Sequence, residues 1–204
     1  DARPQSGYLQ ADVVYETLAE GGITRTLALY QSQDANEVGP IRSARDYFID
    51  WLQEYNGIFV HVGGNIDALD KIAARKIPDL NQFYNGSYFW RDKSRYAPHN
   101  VYSTTEKLYS VAEKKGFVKS SNITTLSFKE EAKKEERPLS QAVTIDFSYP
   151  SFLVRYDYDR ESNSYLRSHG GVAHKDKKTG ERIAPKNVII RSEEHTSELQ
   201  SRQV

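Results

Sequence analysis

Apolar and polar residues alternate with a period of two over residues 11–20 and again over 23–32, which predicts two β-strands. The Gly21-Gly22 pair between them predicts a hairpin, because glycine tolerates the positive φ angles of tight turns. A two-residue loop sets Glu20 opposite Ile23, Leu18 opposite Arg25 and Glu16 opposite Leu27, placing Arg25 on one face with Glu16 and Glu20. After Gly39-Pro40 the spacing turns helical: Ala44, Phe48, Trp51, Leu52 and Tyr55 share a face, with Ser43 as the expected N-cap and a stop near Asn56-Gly57. A short apolar strand over 57–62, a Gly63-Gly64 turn and a second helix capped by Asn65 and reaching Ala74 follow. Ser103-Thr104-Thr105-Glu106 reads as a capping box for a third helix, with Leu108, Val111 and Ala112 inward and Gly116 as its stop. This order predicts an α/β (or α+β) N-terminal domain over residues 1–118, with a mixed sheet and about three helices.

Between residues 119 and 140 the pattern weakens, and the mixed-sign run over 129–137 predicts a solvated, charged linker. Alternation returns over 142–147, 152–158 and 164–168, so residues 141–190 read as a smaller, incomplete β-rich unit built of hairpins. His169, His174 and Asp176 fall in a Gly- and Lys-rich stretch and are expected in a solvated turn. Residues 191–204 match the in-frame translation of a sequencing adapter; they are read as a non-native tail and set aside, His195 included.

Charge narrows the partners. Lys plus Arg (28) equals Asp plus Glu (28), so no global field draws nucleic acid, and any anion recognition has to be local. The chain has no Cys, hence no disulfide framework. No stretch is apolar enough to span a bilayer.

Arginine is concentrated in three motifs: Glu20-Gly-Gly-Ile-Thr-Arg25, Gly39-Pro-Ile-Arg-Ser-Ala-Arg45, and Arg91-Asp-Lys-Ser-Arg-Tyr-Ala-Pro-His-Asn100. Arginine suits bidentate grips on carboxylate or phosphate. Arg42 and Arg45 flank Ser43 at a helix start that already favours an anion, so they form either a ligand site or an ion-pair hub with Glu16, Glu20 or Asp46. His99 with Asp92 is a possible acid-base pair. His61, at the carboxyl end of a strand, is either a satisfied core residue or a second base. No nucleophile motif or zinc spacing is present, and no metal or cofactor is expected.

This ordered series, with Ala2-Arg-Pro-Gln-Ser-Gly7, Ala11-Asp-Val-Val-Tyr-Glu16, His61-Val-Gly-Gly64, His174-Lys-Asp176 and Asn187-Val-Ile-Ile190, resembles the domain-of-unknown-function family 3048. The resemblance covers nearly the whole chain to Ile190 and carries no settled biochemical role. It implies an exported protein of Gram-positive bacteria, held at the extracellular face of the membrane by an N-terminal lipid anchor. The expected function is binding of an anionic envelope polymer or a phosphorylated small molecule through Arg25, Arg42, Ser43, Arg45, Arg91, Arg95 and Asn100, balanced by Glu16 and Glu20. The alternative is a hydrolase or phosphotransferase acting on an envelope substrate, with His99 or His61 as base and Asp92 as orienter.

Overall fold

The structure, a computed structural model, describes residues 1–117 and 127–192. Strands β1 (Val13–Leu18) and β2 (Thr24–Leu29) pair antiparallel, one residue away from the expected register: Glu16 lies opposite Thr26, Thr17 opposite Arg25 and Leu18 opposite Thr24. The Ala19 N–H donates to the Ile23 carbonyl at 2.8 Å, so the loop holds three residues, Glu20–Gly22, as a 3-10 turn with Gly21 and Gly22 at φ 71° and 70°. Because side chains alternate along a strand, this offset puts Glu16 and Arg25 on opposite faces of the hairpin, correcting the expectation that they share one.

Helix α1 (Asp46–Gln53) buries Phe48, Ile49 and Leu52. It starts later than expected, with Arg45 rather than Ser43 at the N-cap, because Ala44 is held extended: its N–H donates to the Gly63 carbonyl at 2.9 Å in a parallel bridge to Gly64. Strands β3 (Phe59–His61) and β4 (Asp79–Asn81) are parallel and joined through helix α2 (Ile66–Arg75), whose cap Asn65 accepts from the Ala68 N–H at 3.3 Å as the sequence predicts. Strands β5 (Trp90–Arg91) and β6 (Val101–Tyr102) pair antiparallel and lead into helix α3 (Thr105–Lys114). Thr104 caps α3, while the expected cap, Ser103, is drawn away by donating to the Tyr88 carbonyl at 2.8 Å.

Two packed clusters define the layers. Leu27, Phe48, Ile49, Leu52, Phe59 and Ile72 join the hairpin to α1 and α2. Leu80, Val111 and Ala112, with Ile58 and Val60, lie under α3. Neighbouring residues of β3 thus contribute to different clusters, so α1 and α2 cover one face of the strands and α3 covers the other.

In the second unit, β7 (Ala142–Asp146), β8 (Leu153–Asp159), β9 (Ser164–His169) and β10 (Val172–Ala173) form an antiparallel sheet in the order β10-β9-β8-β7. The charged run ahead of it is not merely solvated: Arg137 donates to the carbonyls of Ala132, Arg160 and Glu161, tying the run to the β8–β9 turn. The sheet docks on the outer face of the β1–β2 hairpin. There Arg167 meets Glu16 at 2.7 Å, and the Gly7 N–H donates to Asp176 at 2.6 Å. His174 and Asp176 are therefore buried (5% and 2% exposed) instead of sitting in a solvated turn. The adapter-tail expectation falls mostly on residues 193–204, and part of the linker on 118–126, both outside the described residues. Among the described residues no helix is long and apolar enough to cross a membrane.

Candidate functional site

The first two arginine motifs converge. The hairpin loop carries Glu20 and leads to Arg25, and the extended segment before α1 carries Arg42, Ser43 and Arg45. Arg45 pairs with Glu20 at 2.5 Å and donates to the Ala44 carbonyl at 2.7 Å. Arg25 reaches only the Ser43 carbonyl, at 3.3 Å, and Arg42 only the Pro98 carbonyl; neither has an ion pair among the described residues. Of the three guanidinium groups only that of Arg45 has a carboxylate partner among the described residues, Glu20. Burial and then the Arg45 charge hold both Arg25 and Arg42 below the usual arginine value. Burial works against the Glu20 charge, but the Arg45 hydrogen bond and the Arg45 and Arg25 charges outweigh it and keep Glu20 below its ordinary value. Beside them the Tyr47 hydroxyl is buried with no hydrogen-bond partner among the described residues, and burial pushes it up to about 12 although Arg25 pulls the other way.

His99 completes this cluster. It lines a cleft of about 840 Å³ together with Arg25, Arg42 and Ser43, and its Nδ1 is buried without a partner among the described residues. Burial first, then the charges of nearby arginines, Arg42, Arg95 and Arg25, lower it from 6.5 to about 4, so the ring is neutral at pH 7. Asp92 does not orient it. That carboxylate accepts from Ser94 at 2.6 Å and pairs with Lys177 at 2.9 Å, and these bonds hold it far below the usual range. The expected His99–Asp92 dyad is therefore not formed.

The third arginine motif is occupied with structure. Arg95 donates to the carbonyls of Asp1, Arg3 and Pro4 and to the Tyr102 hydroxyl, clamping the first residues to β6. Arg91 donates to the Asn100 side chain at 2.9 Å, and Asn100 in turn donates to the Arg95 carbonyl at 3.3 Å. Neither Arg91 nor Arg95 forms an anion grip with Arg25 and Arg42, and Asn100 fixes the loop. His61 is a core residue, 1% exposed: Nδ1 shares a hydrogen bond with the Gly63 carbonyl at 2.7 Å, Nε2 with Asp79 at 3.0 Å, and the ring stacks on Phe59. It is not placed as a base. The Gly63-Gly64 turn is explained by packing, since a Cβ on Gly64 would stand 3.0 Å from that of Ala44.

A second polar centre escaped the sequence reading. Behind the hairpin, Arg167 donates to Glu16 at 2.7 Å, to the Tyr156 hydroxyl at 2.5 Å and to Nδ1 of His174 at 2.9 Å. That contact makes Nδ1 of His174 an acceptor, so Nε2 carries the proton and donates to Gln5 at 2.8 Å; burial, with the Arg167 charge, lowers this histidine to about 3. His169 sits edge-on to Phe152 and His174, both nitrogens buried without partners among the described residues, and burial lowers it to about 4. No local motif announces this centre, because Gln5, Glu16 and Arg167 meet only through the docking of the two units. Among the described residues no group of three or more His, Asp or Glu could hold a metal ion.

Residues 1–118 match the family model described as "Protein of unknown function (DUF3048) N-terminal domain", and residues 143–203 match the corresponding C-terminal domain. The C-terminal match runs past residue 190, over most of the stretch read as a tail. The chain is 37% identical over 199 residues to "Putative lipoprotein YerB" of Bacillus subtilis (strain 168), covering 95% of this chain and 59% of that protein. A crystal structure of YerB from Bacillus subtilis superposes with a TM-score of 0.80 at 37% identity, covering 90% of this chain and 62% of the other. The chain thus spans about three fifths of the length of these relatives.

Proposed function

Because the chain belongs to the DUF3048 family, whose function is unknown, its role has to be argued from its own chemistry, and we propose that it binds an anionic group through Arg25, Arg42 and Arg45. One observation carries this reading: of the neighbouring guanidinium groups of Arg25, Arg42 and Arg45 only the last has a carboxylate partner among the described residues, Glu20, beside a buried Tyr47 hydroxyl and a buried His99 nitrogen with no hydrogen-bond partner among those residues. Like charges held this closely repel, and a phosphate or carboxylate group relieves the repulsion while using the free donors. The ligand class is an anionic envelope polymer or a phosphorylated precursor, and the location is the outer face of the membrane with a lipid anchor; the description of the similar Bacillus protein as a lipoprotein supports this placement. Arg91 and Arg95 act in this reading as supports of the loop that carries His99.

The test is thermal stabilisation by inorganic phosphate and by polyphosphate, in wild type and in the Arg42→Ala/Arg45→Ala double variant. We expect both anions to raise Tm in the wild type and neither to do so in a variant that still folds cooperatively. Equal stabilisation of both proteins contradicts the reading.

An enzymatic reading has one observation in its favour, the neutral, unpartnered His99 nitrogen beside the arginines. His99 would be the base, with Arg25 and Arg42 stabilising developing negative charge. Phosphomonoester turnover that is lost in His99→Ala while phosphate binding remains would favour it over simple binding.

A further inference from the structure

Lys177, in the second unit, stands on two carboxylates of the first. Its Nζ lies 2.9 Å from Asp92 and 3.4 Å from Glu37, and it sits over the Tyr102 ring, 4.7 Å from the centroid. Each carboxylate stands at the root of a segment that ends in the cationic cluster. Glu37 opens the extended segment that leads to Arg42. That segment is bonded along β6: Val38 exchanges backbone bonds with Ser103, and the Ile41 N–H donates to the Val101 carbonyl at 2.7 Å. Asp92 opens the loop that carries His99, closed at its neck where the Asp92 N–H donates to the Asn100 carbonyl at 2.8 Å. At the far end of the loop the His99 N–H donates to the Tyr96 carbonyl at 2.9 Å, and the Pro98 carbonyl accepts from Arg42. The two segments therefore join at both ends, at their roots through Lys177 and at their tips through Arg42 and Pro98. With β6 running between, the frame is closed, and the separation of the roots governs that of His99 and Arg42.

The ammonium group is what holds the roots together. The side chains of Asp92 and Glu37 are only 18% and 12% exposed, and two carboxylates brought to one point with so little water repel unless a cation lies between them. Ser94 and Ser6 also donate to them, at 2.6 and 2.8 Å, but neutral hydroxyls do not cancel the charge. Lys177 is itself held from behind. Its N–H donates to the Gln5 carbonyl at 2.8 Å, and the buried Asp176 accepts from the amides of Gly7, Lys178 and Thr179, fixing the turn that aims it. Lys177 has no bond to Arg25, Arg42, Arg45 or His99 among the described residues, so its influence passes through the two segments it ties.

We infer that Lys177 is a positioning residue of the anion site, a brace from the second unit that sets the spacing of His99 and Arg42. For what that spacing serves, the inference rests on the anion reading. The brace itself stands on the contacts of Lys177.

The experiment follows the His99 ring by NMR through a pH titration and measures the affinity for inorganic phosphate on the same proteins. In Lys177→Met the bared carboxylates part the roots and His99 comes away from Arg42 into water, so its titration should move up from about 4 toward the ordinary 6.5. Phosphate should bind that variant about fivefold more weakly. Lys177→Arg keeps the charge and should restore both. Asp92→Asn keeps the oxygen that serves Ser94 and loses the pairing with Lys177, so it should move His99 the same way. The Lys177→Met/Asp92→Asn double variant should move it no further than Lys177→Met alone. Lys186→Met removes another lysine–carboxylate pair of the second unit, the one with Glu131, and should leave His99 where it is. Each of these pairs is partly exposed, so its loss leaves the chain folded. A His99 titration unmoved in both Lys177→Met and Asp92→Asn, an equal shift in Lys186→Met, or phosphate affinity unchanged in Lys177→Met would each overturn the inference. A wild type that binds no phosphate, with His99 shifted in Lys177→Met, would instead defeat the anion reading and leave the brace standing.

Discussion

The clearest energetic commitment in the molecule is a single buried pair. Arg167 and Glu16 have side chains only 6% and 11% exposed, and the guanidinium has no other anionic partner among its hydrogen bonds. Removing one member strands the other charge away from water, so Glu16→Ala should destabilise the fold by about 3–5 kcal/mol in urea unfolding, whereas Arg45→Ala at the exposed Glu20 pair should cost about 1 kcal/mol or less. The histidines give a pH signature. His169 and His174 are held near 4 and 3 against an ordinary 6.5, so the folded chain binds fewer protons than the unfolded one over that interval. Stability should be flat above about pH 7 and fall as pH drops through 6.5, with His99 adding to the same limb, and the loss should continue at lower pH as the depressed carboxylates Asp92 and Glu20 take up protons. His169→Phe keeps the edge-on packing and removes one titration, and should flatten that acid limb in a pH series of melts.

The elements were legible where their signals are local. The Asn65 cap of α2, the apolar stripe of α3, and the three long strands of the second unit follow from residues within one or two turns of each other. The hairpin register was not, because it depends on whether Gly21-Gly22 alone or Glu20 as well forms the loop, and the second unit bears on that choice: the Ser148 hydroxyl donates to the Gly22 carbonyl and the Tyr149 ring lies against Gly22. One residue of slip separates Glu16 from Arg25, and with it one half of the expected site from the other. Gly22→Ala tests this coupling. Its Cβ would stand 2.6 Å from the Tyr149 ring at φ 70°, while one on Gly21 meets nothing within 4 Å. Gly22→Ala should therefore lower stability by about 1–2 kcal/mol, with a smaller change for Gly21→Ala, both read from urea midpoints.

At the scale of the whole molecule, the sequence showed which residues were chemically unusual but not which of them would meet. Arg25 of β2, Arg42 and Arg45 of the segment before α1, and His99 of the loop before β6 come together, while Arg91, Arg95, Asn100 and His61 hold the structure in place, and the two kinds look alike as motifs. Their roles are separated only by carbonyls supplied from distant segments, which residue type does not encode. The slipped hairpin has a mechanical corollary. A ribbon one residue thick carries the Arg25 guanidinium on its front and the Glu16 carboxylate on its back, the latter bolted to the far β-sheet through Arg167. Any tilt of that sheet drags the ribbon with it, so the C-terminal half sets the posture of the cationic cluster without contributing an atom to it.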